Sequence, residues 1–207
     1  MRMKWIGIAV VFVAIFALSA TTAGAQASIA GSFYESLNGG TKTGNGTVQT
    51  SPNSPGGIME IRYILKNPLI GAEISYSYNK ANQTYAPQAG NCGYQCGNAA
   101  ETVDGSASQV GISWVPSMKI GNLRPFGVAG LGFNINSPKV NIGYLNTSLR
   151  PLYIFGGGLD WGILPHAGLR VQYREELFKA PNLDDRYNTT GVFTYSSLPM
   201  VGFYFTL

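Results

Sequence analysis

The chain has 207 residues, of which 12% are charged, with 14 basic and 10 acidic side chains and a formal net charge of +4. Charged residues normally make up about 25% of a soluble domain. The shortfall, with 27 glycines and 12 tyrosines, is unlike a water-coated surface, and the near balance of charge argues against a nucleic-acid partner, which needs a clustered basic face.

The first element is a targeting segment. Arg2 and Lys4 precede an apolar run, Ile6 to Leu18, and small residues lead to Ala23-Gly24-Ala25. This three-part order predicts a secretory signal peptide over residues 1–25, cut after Ala25. The run is shorter than the roughly 20 residues a spanning helix requires. Cleavage removes Arg2 and Lys4, leaving 12 basic against 10 acidic residues in a mature domain over 26–207.

From there the pattern has period two, which predicts strands with two different surroundings. Ala27 to Leu37 is the first segment. In Gly57 to Leu65, Met59, Ile61, Tyr63 and Leu65 alternate with Glu60, Arg62 and Ile64. After Lys66-Asn67-Pro68, Ala72, Ile74, Tyr76 and Tyr78 alternate with Glu73, Ser75, Ser77 and Asn79. Val103 to Val115, Arg124 to Ile135, Leu152 to Gly162, Ala167 to Glu175 and Val192 to Leu207 complete eight segments. Most are near the ~9–11 residues of a tilted membrane strand.

The connections alternate in length. Asn38–Gly56, Lys80–Thr102, Asn136–Arg150 and Glu176–Gly191 are long. Lys66–Ile70, Pro116–Leu123 and Ile163–His166 are short. Short turns on one rim and long loops on the other predict an all-β fold: a closed, eight-stranded, antiparallel up-and-down transmembrane barrel.

Three stretches carry a family resemblance. They are Arg124-Pro125-Phe126 leading into Gly130-Leu131-Gly132-Phe133, then Gly156-Gly157-Gly158-Leu159-Asp160-Trp161 followed by Leu169 to Arg174, and the tail Gly202 to Leu207. On these the chain resembles the OmpA-like outer-membrane β-barrel family over nearly all of Ala27–Leu207. The resemblance implies an outer-membrane location and contact with outer-membrane lipids. It also implies a C-terminal signal read by the barrel-assembly machinery, matched here by Gly202, Phe205 and Leu207. It implies little about activity.

The residues themselves suggest sites. Glu60, Arg62, Glu73, Asp160, Arg170 and Arg174 share the parity of the Gly and Ser face. Hairpin register sets Arg62 opposite Glu73 and Asp160 opposite Arg170, with Glu60 in reach of Arg174 or Arg62. An eight-stranded lumen is just wide enough for side chains to fill, so this cluster reads as an ion-pair plug, with a gated ion path as the sharper alternative. On the other face Trp114 and Trp161 fall at one rim and Tyr78, Phe133, Tyr153 and Tyr173 toward the other, the two aromatic girdles of a membrane barrel.

Cys92 and Cys96 share the second long loop. An exported protein favours a disulfide there, and two cysteines without neighbouring ligands suggest no metal site. His166, the only histidine, sits in a short turn on the expected periplasmic rim, opposite the outer-leaflet lipid that a lipid-modifying barrel enzyme would act on, and Asp184-Asp185 read as a solvated loop tip. No cofactor motif stands out, since Gly156–Gly158 opens no helix. The expected function is a non-enzymatic barrel that contributes to envelope structure or makes surface contacts through its loops. A narrow ion or solute channel and a soluble lipocalin-like binding barrel remain as alternatives, and the oligomeric state is open.

Overall fold

The computed structural model describes residues 26–42, 47–86, 100–140, 143–187 and 192–207. The signal segment and the Cys92–Cys96 loop, with the disulfide expected there, lie outside these residues. In chain order the strands are β1 (Gln26–Asn38), β2 (Thr41–Lys42), β3 (Val48–Thr50), β4 (Ser54–Ile64), β5 (Gly71–Lys80) and β6 (Gln83–Ala86). They continue with β7 (Glu101–Val103), β8 (Gly105–Trp114), β9 (Leu123–Pro138), β10 (Ser148–Leu164), β11 (Ala167–Lys179) and β12 (Phe193–Thr206).

Eight of them close a barrel in the order β1-β12-β11-β10-β9-β8-β5-β4, every pairing antiparallel. The barrel forms because alternate side chains want opposite surroundings. Met59, Ile74, Ile112, Leu131, Val171, Val201 and Phe203 point outward and are exposed, while the charged and amide side chains between them are buried inside. This inverts a water-soluble barrel and matches a wall bathed in lipid. It also counts against the soluble lipocalin-like alternative, which needs a polar outer face.

β1 and β12 close the barrel, with Ser32 opposite Gly202. Gly202 faces inward against β1, and a Cβ placed on it would lie 2.1 Å from the Gly31 carbonyl oxygen and 2.5 Å from Ser32 Cα. Only hydrogen fits there, so this glycine of the tail has a packing reason of its own.

Three features depart from the sequence reading. The first two long connections are not plain loops: β2, β3, β6 and β7 form a four-stranded sheet at the long-loop end. β9 and β10 run 16 and 17 residues, well past the length a membrane requires. The inner face is also not uniformly polar. Tyr34, Ile58, Leu198 and Met200 form one apolar cluster within it, and Val115, Phe126, Val128, Leu152, Ile154 and Phe178 form another.

Candidate functional site: a closed ring of charges in the lumen

The barrel order places the β4–β5 and β10–β11 hairpins on opposite walls, separated by β1 and β12 on one side and by β8 and β9 on the other. Each hairpin sets one pair by register, Arg62 with Glu73 and Asp160 with Arg170. Their side chains then meet across the lumen, together with Glu60 and Arg174.

The six form a closed ring of alternating sign. Arg62 donates to Glu73 through Nε at 3.0 Å and Nη2 at 2.6 Å. Glu73 also accepts from Arg174, and Arg174 donates to Glu60. Arg170 Nη1 donates to Glu60 at 2.7 Å, and Arg170 grips Asp160 through Nε at 2.7 Å and Nη2 at 2.9 Å. Arg62 Nη1 closes the ring on Asp160 at 3.5 Å, its longest link. All six are buried. Three guanidinium groups against three carboxylates leave the ring neutral, and each charge has two opposite neighbours, the arrangement in which buried ions recover most of their desolvation cost.

The surroundings hold the ring in place. Phe126 of β9 lies under it, with Arg62 Cζ 4.0 Å and Arg170 Cζ 5.3 Å from the ring centroid. Tyr204 lies 5.6 Å from Arg170. The Gln172 amide, oriented so that both its ends are satisfied, donates to Glu60 at 3.2 Å and accepts from Arg174 at 2.9 Å. Phe126, Tyr204 and Gln172 share the inward parity of the charged residues, which was the available signal for them. Glu176 adds a further buried carboxylate, accepting from Gln109 Nε2 at 2.6 Å. The sequence reading placed Glu176 in a loop; it belongs to β11.

Toward the long-loop end, Asp184 is not a solvated tip. It is fully buried and bound to Arg186 at 2.6 Å. Arg186 also reaches Glu101 at 2.5 Å and lies 3.9 Å from the Tyr144 ring centroid. Its two carboxylate partners hold the guanidinium above its usual pKa. Tyr85 and Tyr187 stack at 4.9 Å beside Leu183 and Val103. Burial pushes the Tyr85 phenol up to about 12, against the opposing effect of the Leu183 amide that donates to it. Three long connections are thereby tied into one cap. Asp185 pairs with Asn146.

The remaining predicted residues are dispersed over the outer wall. Trp114 and Trp161 lie near the short-turn ends of β8 and β10, and Trp114 Nε1 donates to the Leu69 carbonyl at 2.8 Å. Tyr78, Phe133, Tyr153 and Tyr173 face outward, as do Phe205 and Leu207. His166 is exposed in the β10–β11 turn, where its carbonyl accepts from Thr206 N at 2.9 Å. Among the described residues no group of three or more His, Cys, Asp or Glu side chains is placed to hold a metal ion.

No protein-family model and no curated protein matches the chain. Solved structures do. OprG, an outer-membrane protein of Pseudomonas aeruginosa, is similar at 13% identity and a TM-score of 0.56, covering 88% of this chain and 95% of that one. Neisserial surface protein A is similar at 13% identity and a TM-score of 0.53, covering 88% and 98%. The chain therefore has the fold of the small eight-stranded outer-membrane barrels.

Proposed function

We propose that the protein is a non-enzymatic outer-membrane barrel that acts at the cell surface through its long loops and does not conduct. The outward apolar wall and the aromatic residues at its two ends support the membrane placement. The observation that carries the second half is the neutral six-membered ring of charges. It occupies the lumen from wall to wall, is hydrogen-bonded at every carboxylate, and lies against Phe126. Above it, the loops are joined by Arg186, Asp184, Glu101 and the Tyr85–Tyr187 stack into an ordered platform, which suits surface contact.

Fractionation with surface labelling tests this reading. The protein should partition with the outer membrane, and an impermeant amine reagent on whole cells should label Lys139, at the long-loop end, and leave Lys66, in a short turn, unlabelled. Recovery in the soluble periplasm, or the reverse labelling, would contradict it. The channel reading keeps one observation in its favour: polar cavities lie on both sides of the ring. They would serve as vestibules if the ring opened.

A further inference from the structure

The short-turn mouth of the barrel contains a cavity of about 310 Å³. Its lining includes Gln26, Lys119, Asn122, Arg124, Asp160 and Tyr204. Arg124, the second residue of β9, has inward parity and is half-buried. Its hydrogen bond runs from Nη2 to the neutral amide oxygen of Gln26 at 2.5 Å. Among the described residues no carboxylate lies within ion-pairing distance of Arg124 or of Lys119. The nearest acid in the wall is Asp160, directly across the β9–β10 ladder, and both its oxygens are engaged by Arg170 and Arg62. The six charges of the ring are matched among themselves, so Asp160 offers Arg124 no free oxygen and, among the described residues, neither Arg124 nor Lys119 has an ion-pair partner at the mouth.

A half-buried guanidinium without an anion has lost water contacts and gained no ion pair, while retaining the planar donor fork that suits a carboxylate or phosphate. The cavity is at the small end of the size range for ligand sites. We propose that this mouth is an anion site that takes one phosphate or carboxylate group. Arg124 is its principal contact, Lys119 is a second charge at the rim, and the Tyr204 hydroxyl and Asn122 amide are within the same cavity. The group could arrive on a free ion or on an anionic phospholipid of the leaflet at the short-turn rim. The chemistry of recognition is the same, and the two sources can be separated.

The test uses the full barrel folded in detergent, with two probes. Inorganic phosphate is titrated and followed by ³¹P line broadening. Phosphatidylglycerol and phosphatidylethanolamine are offered together, and the retained lipid is counted by native mass spectrometry. Binding of phosphate identifies a free-ion site, and selective retention of phosphatidylglycerol alone identifies a lipid site. In either case Arg124→Gln should weaken the interaction about tenfold or more, the loss typical of a charge-assisted contact. Arg124→Lys should retain part of it, and Lys139→Gln, at the opposite end, should leave it intact. Each variant must keep the heat-dependent gel shift of a closed barrel. Absence of binding by both probes, or binding that Arg124→Gln leaves unchanged, overturns the proposal. A protein found in the soluble periplasm would sink the membrane placement without bearing on this site.

Discussion

Glu73→Ala is the sharpest perturbation of the lumen. Glu73 takes two hydrogen bonds from Arg62 and one from Arg174. Without it, Arg62 keeps as its one carboxylate contact the 3.5 Å link to Asp160, and the ring carries one unmatched positive charge. Both partners are buried to within a percent or so of completely. Removing one member of a fully buried pair costs about 3–5 kcal/mol. Lumen water entering the space left by the side chain would bring the loss toward the lower figure. Arg62→Met combined with Glu73→Ala removes one charge of each sign and leaves Asp160–Arg170–Glu60–Arg174 intact, so the double variant should be more stable than Glu73→Ala alone. Exchanging the two, Arg62→Glu with Glu73→Arg, should rescue little. A pair confined to its hairpin would tolerate the exchange, but here it sets Glu against Asp160 and Arg against Arg174. The assay is equilibrium urea unfolding in vesicles, followed by the fluorescence of Trp114 and Trp161. A Glu73→Ala loss below about 1 kcal/mol, or full rescue by exchange, would refute the closed ring.

Three further variants test other parts of the molecule. Gly202→Val should block closure of β1 on β12, so the folded, heat-shifted form should be lost on gels; retention of the shift would contradict the close approach to Gly31. Arg186→Ala should loosen only the cap: cleavage of the long loops by protease should accelerate while the barrel core keeps its unfolding midpoint, because the lost contacts all lie in the cap, where the partly exposed Arg186–Glu101 link is worth about 1 kcal/mol or less and the buried Asp184 loses its cation. Cys92 and Cys96 should resist thiol reagents until reduced, and their double change to Ser should leave the barrel folded, since so short a loop adds ~2 kcal/mol at most; free thiols in protein from the native envelope would refute the pairing.

The sequence was most legible where the two sides of a strand differ most. In β4, Glu60 and Arg62 against Met59 and Ile61 fix the faces, and the tight Lys66–Ile70 turn then fixes the Arg62–Glu73 register without any tertiary information. Legibility fails where that contrast fades. In β11 beyond Arg174 the outward row reads Glu175, Leu177, Lys179 and the inward row Glu176, Phe178, so both faces mix polar and apolar residues and the alternation stops before the strand does. Leu152, Ile154, Leu198 and Met200 face inward on strands whose other inward residues are polar or Gly, and only the space each row must fill explains them. β2, β3, β6 and β7 are two to four residues long, too short to display a period. Arg186 finds Glu101 through folding at a separation of 85 residues, which no local pattern contains. The ring shares that property: each hairpin pair is readable alone, but the links Arg174–Glu73, Arg174–Glu60, Arg170–Glu60 and Arg62–Asp160 exist only once the barrel has closed.

Steady conductance in planar bilayers tests the central claim most directly. If the lumen is closed as proposed, protein purified in its heat-shifted form and inserted at a known copy number should give little or no current, because a neutral ring spanning the lumen would interrupt the water path between the two mouths. Glu73→Ala, if it inserts, should be leakier than the parent. Large, stable openings of the unmodified protein would contradict the closed lumen and establish the channel reading in its place.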